Sequence, residues 1–299
     1  MKMEDQIVRD RCGRVIKEMR TALCESKLCI AAYLLGSASH DQVWEWSDIQ
    51  IAVILDDGYK GKRYHTLLQD GMYVALNVFT LTAFKEWIGT VHADDFMWKA
   101  FSKRTVLFSK DPILDELLEE AFIIGSADRQ KEMLLAFSGA VYYLNKAEKN
   151  LYVKRNLENA VYFIPQIAEN IALIEIFQNQ QIPEREVIAQ GKKYNREVFA
   201  NIYDPLFRRN ADEETVKGIL TYCAGYLERH TRTIYQPVIA YLEEHGDLEY
   251  FKFETRPHGF GINYEWLVRC GIAERYGIPE KIPFLKQAEK IGYRKAEKT

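Results

Sequence analysis

Gly36 and Ser37 follow the apolar pair Leu34-Leu35, and Asp48 stands eleven residues after Ser37 with Gln50 two places further on. Each residue type suits one part of a phosphate-and-metal chemistry. A glycine lets the backbone turn close to a polyphosphate, and the hydroxyls of Ser37 and Ser39, with the amides of a following helix start, can hold phosphate oxygens. An aspartate opening a strand shares its face with the residue two positions on, so Asp48 and position 50 could serve the same cation. Position 50 is Gln50, an amide with an oxygen but no charge. Hard divalent cations want several carboxylate oxygens. The pattern therefore supplies a phosphate turn and one acid, and lacks the second.

The elements that must position these residues are legible in the periodicity. Residues 4–26 read as an amphipathic helix with Ile7, Val8, Cys12, Val15, Ile16, Met19 and Leu23 at helical spacing. Cys29–Leu35 reads as a buried strand, Gly36–Trp44 as a turn and short helix, and Asp48–Leu55 as a second strand closed by Asp56-Asp57-Gly58. A further arm is expected over Lys62–Leu68, a third strand over Met72–Thr80, and an edge strand over Val106–Phe108. Thr82 is the expected N-cap of a helix over Ala83–Val91. A mixed sheet flanked by helices thus accounts for residues 1–115.

From 116 to 235 the chain reads as a helical bundle. Met133, Leu134, Phe137, Ala140, Val141 and Leu144 line one helix, and Leu157, Val161, Ile164, Ala168, Ile171 and Ile174 line another, with a kink expected at Pro165. Asp212 is placed to cap a later helix. Residues 236–299 read as a small winged-helix-like module: two helices closed by Gly246 and Gly271, a short strand at Ile272–Arg275, and a terminal helix over Leu285–Tyr293. The predicted fold class is α+β.

Composition narrows the function. In 299 residues, 47% are hydrophobic and 28% charged, and the net charge of −3 offers no global field for nucleic acid or an anionic membrane. The five cysteines show no paired metal-binding spacing and are expected as reduced thiols in a cytoplasm. The charged N-terminal stretch does not read as a signal peptide. No apolar run approaches the roughly 18 residues of a membrane span.

Leu35-Gly36-Ser37 followed by Asp48-Ile49 resembles the signature of the nucleotidyltransferase superfamily, the polymerase-β-like enzymes that include the aminoglycoside (kanamycin-type) nucleotidyltransferases. The family pattern is a hydrophobic-Gly-Gly/Ser turn, a short spacer, then Asp-hydrophobic-Asp/Glu. A third acid lies on the next strand. By the resemblance, Val74-Ala75-Leu76-Asn77-Val78 is that strand and Ala75 holds the acid's place. The resemblance implies a nucleoside triphosphate and Mg²⁺ as cofactors, with Asp48 as catalytic and metal-binding residue and Gly36, Ser37 and Ser39 as phosphate contacts. Two departures, Gln50 and Ala75, leave Asp48 as a weak metal ligand.

The expected function is accordingly a nucleotidyltransferase-like protein with weakened or lost transfer, keeping a cleft for a nucleotide or phosphate ligand. Two other readings stand beside it. One is an active enzyme adenylylating a small hydroxylated acceptor, with a replacement acid drawn from Asp41, Glu45, Asp56, Asp57, Asp94 or Asp95. The other is a regulatory protein that meets nucleic acid through basic residues of the last segment, Lys281, Lys286, Lys290, Arg294, Lys295 and Lys298. Trp44 and Trp46 read mainly as linker packing. The tyrosines of the helical segment read mainly as bundle core.

Overall fold

The computed structural model describes residues 3–40, 43–90, 96–121, 126–207, 212–249, 251, 261–280 and 287–296. The chain divides into two compact units, Met1–Ile124 with Ile182–Arg185, and Gly125–Gln181 with Glu186–Thr299. The architecture is α+β: a five-stranded mixed sheet with helices, a large set of further helices, and a small antiparallel sheet near the C-terminus.

In the first unit the strands are β1 (Cys29–Leu35), β2 (Ile49–Leu55), β3 (Tyr64–Gln69), β4 (Met72–Thr80) and β5 (Thr105–Ser109), in the order β3-β4-β2-β1-β5. Only β2 and β4 pair in parallel; the other neighbours are antiparallel. The hairpin between β3 and β4 turns on Asp70 and Gly71, both at positive φ (46° and 74°), the conformation a two-residue hairpin demands. Helix α1 (Met3–Glu25) buries Cys12 and Val15 against one face of the sheet, where Ala32, Leu34, Ile49, Ile51, Val53 and Val74 pack. Alternation along the strands sends Tyr33 to the other face. There it meets Phe84 of α2 (Leu81–Thr90) and Phe101 of α3 (Phe96–Ser102), with ring centroids 6.2 and 5.9 Å away. The Tyr33 hydroxyl donates to Asp115 of α4 (Pro112–Ala121) at 3.0 Å; burial and then that carboxylate hold the phenol well above its ordinary pKa.

The cap of α2 differs from the expectation. The helix opens at Leu81, and Asp57 accepts from both the Thr82 amide (2.9 Å) and the Thr82 hydroxyl (2.8 Å). Those two bonds draw the Asp57 carboxyl below its ordinary pKa. The acceptor lies 25 residues upstream in sequence, and the Thr80 hydroxyl accepts from the Ala83 amide at 3.4 Å, so the role expected of Thr82 is shared by Thr80 and Asp57.

The second unit contains α5 (Ser126–Glu148), α6 (Leu157–Gln178), α7 (Val187–Tyr194), α8 (Arg196–Ile202), α9 (Glu213–Ile234), α10 (Gln236–His245) and α11 (Tyr264–Arg269), with strands β6 (Ala273–Pro279) and β7 (Glu289–Lys295). Asn156, Asn195 and Asp212 each cap a helix start through a side-chain oxygen, as their types favour. Gly246 and Gly271 end α10 and α11 at positive φ (84° and 67°). Helix α6 continues through Pro165. It is also the one described helix long and apolar enough to cross a membrane, with a mean hydropathy of 1.4. The sequence expectation overlooked this because polar residues such as Gln166, Glu169 and Asn170 interrupt the apolar run. More than half of that window, 56%, is buried inside the protein, the pattern of a core helix.

The terminal helix expected over Leu285–Tyr293 is replaced, where residues are described, by β7, paired antiparallel with β6 from Ala273↔Lys295 to Pro279↔Glu289. Gly292 shows why. A Cβ there would come within 2.7 Å of both Tyr276 and Ile278, whose side chains cover the glycine across the strand pair. In a helix the same glycine would cost about 1 kcal/mol relative to alanine. The last segment is tied to the helices by Trp266, which is buried, donates to Thr231 Oγ1 at 2.8 Å and packs edge-on against Phe137.

Candidate functional site

The end of β1 and the start of β2 bring the sequence-selected residues together. Register places Leu35 opposite Gln50, and the parallel pairing of β2 with β4 places Gln50 beside Ala75. Gly36 follows Leu35 at φ 70°, a conformation that favours glycine, and its vacant Cβ position lies 3.5 Å from Gln50 Oε1. Ser37 and Ser39 ride on the single short 3₁₀ turn Gly36–His40, and Asp48 stands exposed just before β2. Gly36, Asp48, Gln50 and Ala75 thus occupy one end of the sheet.

The polar geometry there is specific. Gln50 Nε2 donates to Asp48 Oδ2 at 3.0 Å. The amide that stands where a second acid is expected therefore turns a donor toward the remaining carboxylate. Ser39 donates its hydroxyl to the Gly36 carbonyl at 2.7 Å and lies 3.2 Å from His40 Nε2, so it braces the turn. Ser37 is half-buried, and among the described residues its hydroxyl has no hydrogen-bond partner.

The substitute acids are committed elsewhere or fall outside the described residues. Asp56 accepts from the Gly58 amide at 2.8 Å, Asp57 caps α2, and Glu45 accepts from Trp46 Nε1 at 2.8 Å. Asp41, Asp94 and Asp95 lie outside the described residues. Among the described residues no group of three His, Cys, Asp or Glu side chains gathers in a metal-binding cluster. Trp44 and Trp46 are 60% and 74% exposed, which corrects the expectation that they pack the linker.

Of the basic residues in the last segment, Lys290 pairs with Glu249 (3.5 Å) and Arg294 with Glu274 (2.6 Å). Lys281, Lys286 and Lys298 lie outside the described residues. Residues 256–260 of the glycine-rich segment Arg256–Gly261 do too.

The sequence reading passed over the run Tyr59-Lys60-Gly61-Lys62-Arg63-Tyr64. Its signal was there: basic and aromatic residues interleaved around a glycine. In the structure, part of this run walls a cavity against β4 and α2.

With that geometry in hand, the fold is similar to the crystal structure of a nucleotidyltransferase-like protein from Exiguobacterium sibiricum 255-15. The TM-score is 0.55 at 13% identity, over 96% of this chain and 99% of that one. At that identity the likeness is one of fold: the chain has a nucleotidyltransferase-like fold. No protein-family model and no curated protein matches the sequence.

Proposed function

We propose that this chain is a nucleotidyltransferase-fold protein in which metal-dependent nucleotidyl transfer is weakened or lost, and in which the turn after β1 keeps a surface for a nucleotide or other phosphate ligand. The order of its motifs follows the aminoglycoside nucleotidyltransferases. One observation carries the reading: Asp48 has an amide donor from Gln50 against one of its oxygens and Ala75 on the adjoining strand, not acids. Paired divalent cations in phosphoryl-transfer sites sit about 3.5–4 Å apart and need anionic oxygens shared between them. One carboxylate, one neutral amide and one methyl do not make that donor set. An amide nitrogen facing a cation is repelled, so Gln50 would also have to turn over before its oxygen could serve. Ser37 keeps a hydroxyl for a phosphate oxygen, and Gly36 keeps the backbone bare beside it.

The test is titration calorimetry with ATP, in Mg²⁺ and in EDTA, on the natural protein and on Asp48→Ala, alongside an assay for nucleotidyl transfer to hydroxylated acceptors. The reading expects ATP binding that changes little when metal is removed, and little or no transfer. Robust metal-dependent transfer that Asp48→Ala abolishes would refute it.

A further inference from the structure

We infer that the cavity enclosed by the loop before β3, by β4 and by α2 is a metal-independent binding site for a small planar organic anion. Its volume is about 350 Å³. That is the low end of the roughly 300–1,000 Å³ of ligand pockets, sized for one ring system and one charged group rather than a triphosphate. Arg63 and Lys60 bring two positive charges to its wall, and among the described residues no acid lines it. Asp57, the carboxylate nearest in sequence, is spent on the cap of α2, while Lys60 Nζ reaches only its backbone oxygen at 3.2 Å. Among the described residues Arg63 has no ion pair and the Asn77 amide has no hydrogen-bond partner. A guanidinium presents paired donors that match a carboxylate or phosphate, and an amide can both donate to and accept from a ring substituent.

The rest of the wall is aromatic and held in place. Trp87 packs against Phe79, Phe84 and Phe101 with ring centroids 6.0, 5.6 and 4.9 Å away, so its ring is fixed before any ligand arrives. Tyr64 stands across the strand pair from Asn77 and is 74% exposed, an uncovered ring at the rim. Tyr59 donates its hydroxyl to the Lys62 carbonyl at 3.0 Å and folds over Gly61, where a side chain would collide with its ring. Isolated surface Arg and Lys residues are ordinarily just solvated. Here they rim a concave aromatic wall that carries no counter-charge among the described residues, and the two features together select an anion that carries a flat face.

Asn77 follows Ala75 on the same strand face, about 7 Å along β4 at the usual rise per residue. The cavity thus shares a face of the sheet with Asp48 and Gln50 but has walls of its own. The inference does not rest on the phosphate reading of Gly36 and Ser37.

The experiment is titration calorimetry in EDTA with two probes of the shared chemistry, AMP for a phosphate source and 4-hydroxybenzoate for a carboxylate source. Adenosine and inorganic phosphate serve as the separate halves. At least one probe is expected to bind with a Kd of about 1 mM or tighter, and each half of AMP at least about tenfold more weakly than AMP itself. Arg63→Ala, at an exposed position, is expected to weaken the binding probe about tenfold with unchanged circular dichroism, and Arg63→Lys to recover part of it. Which probe binds identifies the anion. No binding of either probe overturns the inference, and so does binding that Arg63→Ala leaves intact. Binding lost in Asp48→Ala but kept in Arg63→Ala would place the ligand at the β1 turn instead, sinking this proposal while leaving the functional reading standing.

Discussion

Two carboxylates in this molecule, Asp48 and Glu175, differ in what surrounds them. Glu175, on α6, is 5% exposed, and its Oε1 accepts from the Tyr226 hydroxyl of α9 (2.8 Å) and from Asn195 Nδ2 (3.0 Å). Burial and then the Glu175 charge push the Tyr226 phenol far above its ordinary range. Asp48 is exposed and has a single amide neighbour, Gln50. A buried acid with converging donors is an anchor, because its removal strands the donors in a dry interior. An exposed acid with one amide neighbour contributes little to the fold and stays open to a ligand. Acid chemistry at a site depends less on one carboxylate than on the company it keeps.

The largest expected effect tests the anchor. Glu175→Ala leaves one buried donor, Tyr226, and one half-buried donor, Asn195, unpaired and is expected to cost about 3 kcal/mol in urea unfolding, with Glu175→Gln costing less because an acceptor oxygen remains. A neutral Glu175→Ala would erase the contrast. Next, Gln50→Glu combined with Ala75→Asp restores acids beside Asp48. Titration with Mn²⁺ is expected to show at least a tenfold gain in affinity over the natural protein, about 1.4 kcal/mol. If the gain is missing, the shortage of acids is not what limits the site.

A smaller effect involves a third carboxylate, Asp212, fully exposed yet spent on the cap of α9. The Thr215 amide (2.9 Å) and hydroxyl (2.7 Å) both donate to it and draw its pKa below the ordinary value. A folded-state pKa below the unfolded one stabilises the fold above the ordinary Asp range, and that support is lost as pH falls through the folded pKa. Asp212→Ala is therefore expected to lower the melting temperature slightly near neutrality, with the difference shrinking in acid. A difference that grows in acid would reverse the assignment. Smallest of all, Asp48→Ala is expected to change stability by no more than about 0.5 kcal/mol, as a surface change away from caps and core does. A larger loss in the same unfolding assay would mean that Asp48 is structural after all.

The elements that carry their own periodicity were legible. Met72–Thr80 is a strand over the range its run of Val, Leu, Tyr and Phe predicts, and the first helix, expected over 4–26, spans Met3–Glu25. Asp212 caps α9 as its type and position suggest, because a cap is a contact between near neighbours. What escaped had a distant cause. Part of the cap of α2 comes from the distant Asp57, and β7 is a strand because β6 supplies its ladder over Gly292. Trp44 and Trp46 look like packing residues by type but stand largely exposed. Arg63 and Trp87, 24 positions apart in the chain, share a wall only after β4 and α2 fold back on the loop.

The sequence by itself determined the inventory: one aspartate before β2, an amide where a second acid belongs, an alanine on a later strand, and a glycine able to take a positive φ. These are matters of residue type and short spacing, set before any folding. Tertiary structure alone decided that the amide faces the aspartate, that Ala75 lies beside Gln50 through a parallel pairing, and that two cations share a wall with aromatic rings. Hydrogen-bond register and long-range packing choose partners across the chain, and no local pattern of residues names those partners in advance.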